Sequence, residues 1–304
     1  MIYKMTIAPQ GSIGTPFRSD TLFGHACWTM KMYESEERFE EFLNNARDQK
    51  PELIFSDGFP SGFLPKPLIP IPQIEFNTPN ELRKLKNFNK QKWINYKIAN
   101  NNNWDFNKLM NLDLQSIPNE PFHEERFHNV IDRITNTTSE NSLFVTSSQR
   151  YFDRWQSIDI YLYSKWDIDK LTNFIKKLFS VGYGKDQTTG SGEVKIINNP
   201  KPIEVPSYDT PYFLTLSRLI PDDSIVLENS FYDIEAKYGK IWSGLSPINP
   251  FKKPIMQILP GSVVKLKTQK AIAGRVLENI ADDSRVIENC FSILYPLPSE
   301  VIDE

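Results

Sequence analysis

Cysteine, histidine and long apolar runs are all scarce in this 304-residue chain, and each scarcity excludes a class of function. Cys27 and Cys290 are too few for a zinc knuckle or a disulfide framework. No apolar run approaches the roughly 18 residues of a membrane helix, and MIYKMTIAP at the amino end has no signal-peptide features, so a cytoplasmic location without membrane attachment is expected. His123 and His128 fall five positions apart in HEERFH, whereas a zincin helix needs histidines at i and i+4. Nucleotide fingerprints are missing too. Phe179 stands where a Walker loop requires its first glycine, Asp186 follows Lys185 where Ser or Thr should bind magnesium, and Gln187 replaces the third glycine of a dinucleotide loop.

Only 13 glycines are present, yet four of them fall in VGYGKDQTTGSGEV at 181–194. Clustered glycines permit positive φ and close approach of a ligand, and exposed backbone N–H groups favour anions. Gly182, Gly184, Gly190 and Gly192 would supply the bare backbone, and Lys185, Thr188, Thr189 and Ser191 the donors. A plain helix-to-strand connection is the alternative. The helix is DIDKLTNFIKKLFSVG, capped by Asp167, with Ile168, Leu171, Phe174, Ile175, Leu178 and Phe179 on one face; VKII at 194–197 is the strand.

Hydrophobic residues make up 39% and charged residues 24%, as in ordinary folded proteins, and a net charge of −3 argues against indiscriminate coating of nucleic acid. The charge is unevenly distributed. Ala236 to Leu277 holds Lys237, Lys240, Lys252, Lys253, Lys265, Lys267, Lys270 and Arg275 with no acidic residue, and Arg83 to Lys97 is a second basic stretch. Acidic residues collect at 34–57 and near the carboxyl end. This separation suits one face toward phosphate and another toward protein, with plain solvation as the alternative.

IYKMTIAP reads as a strand, followed by a helix that Ser19 would cap and that turns Leu22, Ala26, Met30 and Tyr33 inward. SEERFEEFLNNARDQ is a second helix burying Phe39, Phe42, Leu43 and Ala46. Residues 77–121 are polar and Asn-rich, and an insertion with some helix and a mobile tip is expected. FHNVIDRITNTTSENSLFVTSS is a hairpin, and SIDIYLYSK alternates as a half-buried strand. The order strand, helix, strand, insertion, strand, helix, strand matches the ferredoxin-like β-α-β-β-α-β plan that RNA-recognition domains share. The fold class expected is α+β: two ferredoxin-like domains with two cores, 1–202 (insertion 77–121, hairpin 126–150, Gly-rich loop 182–192) and a degraded copy over 203–304.

Five stretches taken together point to a family: GTPFRSDTLFGHACW at 14–28, SDGFPSGFLPKPLIP at 56–70, FHNVIDRIT at 127–135, GYGKDQTTGSGEV, and YGKIWSGLSPINPFKKPI at 238–255. In this order they resemble the RAMP superfamily, of the Cas-five type, and within it the fourth-subunit family of the type III-A CRISPR Csm interference complex. The resemblance covers nearly the whole chain, residues 77–121 least. It implies a non-catalytic, antiviral RNA-binding subunit that holds the repeat-derived 5′ tag of the CRISPR RNA and bridges the large Cas-ten-type polymerase-like subunit to the adjacent Csm backbone RAMP subunit. No metal or cofactor is expected. The enzyme-class alternative is a metal-independent RAMP endoribonuclease that processes precursor RNA.

The resemblance makes the Gly-rich loop an RNA-backbone loop, and makes His128, Asn129 and Arg133 the start of a thumb hairpin that wedges between bases. Phe144 and Val145 on its returning arm would be the wedge, or hairpin core. Arg18 and Ser19, at the amino end of the first helix, are candidates for a phosphate, or simply a surface arginine and an N-cap. Lys66, with Phe59 and Phe63 as exposed rings, suits single-stranded RNA, and burial against a neighbouring subunit suits them equally. Lys252 and Lys253 sit in a Pro-bounded turn suited to phosphate. His25, lacking a visible partner, is expected to be packed or hydrogen-bonded rather than catalytic.

Overall fold

The computed structural model describes residues 1–70, 78–111, 120–139, 141–185, 187, 190–241 and 249–303. β1 (Ile2–Pro9) runs into an irregular segment and then α1 (Ser19–Tyr33), which buries Leu22, Phe23, Ala26 and Met30; Tyr33, expected inside, is exposed at the helix end. α2 (Glu36–Arg47) begins at Ser35, whose hydroxyl accepts from the Arg38 N–H, and buries Phe42, Leu43 and Ala46. Three short strands follow, β2 (Leu53–Phe55), β3 (Phe59–Pro60) and β4 (Phe63–Pro65).

Next come α3 (Pro79–Lys90), opened by a Thr78–Glu81 capping box, β5 (Trp93–Asn95), α4 (Tyr96–Asn101) and α5 (Phe106–Asn111). The helix expected in the insertion is present over 78–111, but the Asn-rich stretch expected as its tip is packed: Phe88, Ile94, Ala99, Trp104, Phe106 and Leu109 join the core. Its asparagines act as caps: Asn95 accepts from the Lys97 and Ile98 N–H groups, and Asn100 accepts from the Trp104 indole at 2.9 Å. Polar composition here serves local backbone satisfaction rather than disorder.

A ribbon of β6 (Phe122–His128), β7 (Ile131–Asp132), β8 (Thr137–Thr138) and β9 (Phe144–Arg150) follows, then a 3-10 turn, β10 (Ile158–Ser164), α6 (Ile168–Ser180) and β11 (Val194–Pro202). α6 matches its pattern closely: Asp167 caps it by accepting from the Lys170 N–H, worth about 1 kcal/mol, and five of the six predicted apolar residues are buried. The first sheet runs β11-β1-β10-β2, antiparallel throughout, with β3 also paired to β10. β10 is buried on both faces rather than one. Asp159 explains the polar side, accepting from Thr6 Oγ1 at 2.7 Å, Ser61 Oγ at 3.0 Å and the Gly62 N–H at 2.8 Å, while Tyr161 meets Phe59.

The second half contains β12 (Tyr212–Thr215), β13 (Ile225–Phe231), β14 (Ile234–Lys237), β15 (Ile255–Ile258), β16 (Val263–Leu266), β17 (Ile272–Leu277), β18 (Glu288–Pro296) and α7 (Glu300–Asp303). Its sheet runs β13-β16-β12-β18-β17, again antiparallel. With edge strand β17 set aside, both sheets place their strands in the order fourth, first, third, second. Residues 216–224 and β17 occupy the connections that α1 and α6 make in the first half. The larger core does not stop at residue 202: Leu214, Leu216, Val263, Phe291, Ile293 and Tyr295 belong to it, while a small separate cluster gathers around Phe213, Leu219, Val264 and Leu294. Among the described residues no helix is long and apolar enough to cross a membrane.

Candidate nucleic-acid interface

All four loop glycines have positive φ: Gly182 +86°, Gly184 +77°, Gly190 +90° and Gly192 +80°. Three of them divide into two kinds. A side chain at Gly192 would run into the Tyr183 carbonyl, and a Cβ at Gly184 would lie 2.9 Å from Thr15 Cβ. These two glycines permit chain to approach chain, not ligand, which corrects the expectation that each bares backbone to phosphate. Gly190 has nothing within 4 Å and stands at the open tip with exposed Lys185 nearby in sequence. Ser191 is half-buried. Thr188 and Thr189 lie outside the described residues.

The base of the loop is fixed by the segment after β1. Gly192 N–H donates to the Ser12 carbonyl at 3.0 Å, Lys185 N–H to Thr15 Oγ1 at 3.0 Å, and the Tyr183 hydroxyl to the Pro16 carbonyl at 2.8 Å. Gly14 belongs to the same contact, since a Cβ there would lie 2.6 Å from the Lys185 carbonyl oxygen. Phe17 stacks on Tyr183 with ring centroids 4.5 Å apart and meets Tyr151 edge-on. His25 accompanies them, its Nε2 2.8 Å from the Gly182 carbonyl and its ring edge-on to Tyr183; burial pushes its pKa down, so the neutral ring donates to that carbonyl. The packed histidine expected from sequence is found.

The same segment grips the hairpin. Ile13 exchanges both backbone hydrogen bonds with Gln149 of β9, at 2.9 and 2.8 Å. The loop and the hairpin, separate in sequence, are thus held by one stretch of about seven residues. The hairpin is paired from Phe122↔Arg150 to His128↔Phe144, four residues longer at its start than the expected 126. His128 stacks on Phe144 at 5.1 Å and its Nε2 lies 2.9 Å from Thr146 Oγ1; Asn129 Nδ2 donates to Thr138 Oγ1 at 3.4 Å. Arg133 is exposed at the tip beside Ile134, which is 95% exposed, and Phe127, Ile131, Leu143, Phe144 and Val145 are exposed as well. An isolated two-stranded ribbon is marginal in water, and exposed apolar residues gathered like this are of the kind that marks a contact surface.

The amino end of α1 is already occupied. Ser19 is the first helical residue, not the cap: its N–H donates to Asp57 Oδ1 at 2.8 Å, and its buried hydroxyl accepts from the Arg218 N–H at 3.0 Å. Asp57 takes the place a phosphate would fill, which removes Ser19 from the interface. Arg18, half-exposed, lies 3.9 Å from Glu235. A buried ionic network extends from there. Arg218 pairs with Asp57 and Glu235, Lys237 lies 2.5 Å from both Asp20 and Glu288, and Lys252 lies 2.6 Å from Glu288. The stretch 236–277 is acid-free along the chain but not in space, and Lys252 is turned inward rather than toward phosphate. Lys253 remains exposed, its backbone bonded to the Ile280 carbonyl. Burial pushes the Asp57 carboxyl up despite Arg218; in Asp20 the burial penalty is outweighed by Lys237 and Arg218, which hold it below its ordinary value.

Lys66 also departs from expectation. Its ammonium donates to the Phe88 carbonyl at 2.7 Å, near the end of α3, and sits over the Phe88 ring, while burial pulls its pKa down to about 8. Phe59 is buried against Trp93 and Tyr161 rather than presented as a stacking ring. The residues that sequence reasoning passed over are Ser12, Ile13, Thr15 and Phe17. Gly14, between two exposed-looking loops, is the trace they leave, because it marks a close backbone approach.

No family model matches the sequence, and no curated protein matches it. Solved structures do match its fold. A chain from a Csm1–Csm4 cassette in complex with cA4 is 19% identical with a TM-score of 0.59, covering 98% of this chain and 100% of that one. The same cassette with AMPPNP gives 20%, 0.57, 98% and 100%. A chain from a Csm3–Csm4 subcomplex of the type III-A CRISPR-Cas interference complex is 16% identical with a TM-score of 0.53, covering 97% of this chain and 99% of that one. The chain shares its fold with chains of these Csm assemblies. Csm4 is the component common to these assemblies, and this chain has a Csm4-like fold.

Proposed function

We propose that the chain is a non-catalytic, cytoplasmic RNA-binding subunit of a type III-A CRISPR complex, capping the 5′ tag of the CRISPR RNA and bridging the polymerase-like Csm1 subunit to the Csm3 backbone. The observation that carries this is the segment 11–17, because it ties the base of a loop with an open Gly190 and the base of a hairpin with an exposed apolar end to neighbouring residues. Backbone would be cradled at Gly190, Ser191 and Lys185, and bases would be unstacked by Phe144 and its neighbours, with Asn129, Arg133 and His128 alongside. The matching strand orders support reading both halves as ferredoxin-like, 1–202 complete and 203–304 with its helices replaced.

The nuclease alternative is weakened by His25, whose Nε2 is committed to the Gly182 carbonyl in a buried position. Gel shifts of the assembled complex with tagged and untagged RNA test the proposal. Gly190→Leu with Lys185→Ala should lower affinity for tagged RNA at least fivefold and leave the untagged control near its starting value. Unchanged discrimination, or cleavage of repeat RNA in EDTA that His128→Ala abolishes, would overturn it.

A further inference from the structure

The β14–β15 ribbon is built inside out. Alternation along β14 points Glu235 and Lys237 at the body of the protein, where they pair with Arg218, Asp20 and Glu288. Ile234, Ala236 and Tyr238 occupy the opposite face, with Met256 directly across from Ala236 and Phe251 further along, across from Lys240. Ile234 is 57% exposed, Tyr238 76%, Phe251 55% and Met256 55%. Antiparallel ribbons with one covered face ordinarily turn apolar residues in and charges out. Reversing that arrangement leaves an exposed apolar strip of the kind that marks a contact surface.

The charges on this ribbon indicate what would cover it. Apart from Glu235, whose 41% exposed side chain is paired with Arg218, the ribbon has no acidic side chain through residue 258, and its exposed lysines are Lys240, 5.0 Å over the Phe251 ring, and Lys253. The complement is a protein face with an apolar centre and a rim of Asp and Glu. Nucleic acid would find two rings, Tyr238 and Phe251, and two exposed lysines at one end of the strip. Ile234, Ala236 and Met256, however, offer it neither ring nor charge, and the other two lysines of the ribbon, Lys237 and Lys252, are turned inward onto Asp20 and Glu288.

We infer that the outer face of β14–β15 docks a neighbouring protein subunit through an apolar patch edged with carboxylates. The inference rests on the reading of this chain as a subunit of a larger complex. A photo-crosslinking side chain at position 238, and separately at 256, is introduced into the assembled ribonucleoprotein, and adducts are identified by mass spectrometry. The expected adduct joins this chain to another protein subunit at a segment holding both apolar and acidic residues.

A second arm uses Ile234→Ser with Met256→Ser, both outward-facing. Melting of the isolated chain should be unchanged, recovery of one protein subunit in the complex should fall at least tenfold, and guide RNA should be retained. Adducts to RNA, absence of adducts in a complex that assembles, or full subunit recovery by the double variant would each overturn the inference while leaving the subunit reading intact. A chain that recovers no other subunit in any form would overturn that underlying reading, and the docking surface with it.

Discussion

Lys237, in the second half of the chain, sets its ammonium 2.5 Å from the carboxylate of Asp20 in the first helix. It also lies 2.5 Å from Glu288, so one cation is shared by two buried anions, with Lys252 beside Glu288 and Arg218 acting on Asp20. Removing it leaves Asp20 without its close charge partner and Glu288 with Lys252 alone, and breaking a buried pair in this way costs about 3–5 kcal/mol. Lys237→Met should lower the denaturation midpoint accordingly, and adding Asp20→Asn and Glu288→Gln should recover part of the loss. Because the Asp20 carboxyl is held below its ordinary 3.8, its contribution is present above that value and lost as pH falls through the lower folded value.

The loop glycines should separate by substitution. Gly190→Ala and Gly192→Ala both force a residue into positive φ, a penalty of about 1–2 kcal/mol. Only Gly192→Ala also collides with the Tyr183 carbonyl. Thermal melting should drop clearly more for Gly192→Ala, and hydrogen exchange across 182–193 should quicken in that variant alone.

His25 makes the loop pH-sensitive. Burial depresses its folded pKa below 6.5, so the unfolded chain binds the proton more readily and stability is lost as pH falls below that value. The slope is at most about 1.4 kcal/mol per pH unit for one proton. Urea midpoints at pH 7.5 and pH 5.5 should differ by more in the parent than in His25→Gln, which keeps a donor for the Gly182 carbonyl and does not titrate.

The hairpin should matter to RNA more than to stability. Phe144→Ala removes a ring stacked on His128 but exposed to solvent, so unfolding should change by less than about 0.5 kcal/mol. A lost base-stacking contact is worth about 1–3 kcal/mol. Filter binding of tagged RNA by the complex should therefore weaken by roughly fivefold or more, and an unaltered affinity would remove Phe144 from the contact.

Periodicity was a sound guide wherever one element faces one core. The inward face of α2 apart from half-buried Phe39, that of α6, the Asp167 cap and the existence of the long hairpin were legible. Pairing between distant segments was not. Lys252 reads as a surface lysine until Glu288 arrives beside it, Ser19 reads as a cap until Asp57 takes that role, and Lys66 reads as a phosphate ligand until Phe88 offers a carbonyl. The helix within 78–111 was legible but its Asn-rich stretch misled, since asparagines that cap helices and accept from indole look the same in sequence as asparagines that solvate a tail.

The Ile13–Gln149 and Ser12–Gly192 hydrogen bonds tie a blade and a cradle to adjacent links of one short chain. Neither can slide without dragging the other. On the proposed reading, an RNA strand seated in both would feel a change at Ser12 or Ile13 at two places at once, since these adjacent residues anchor both bases.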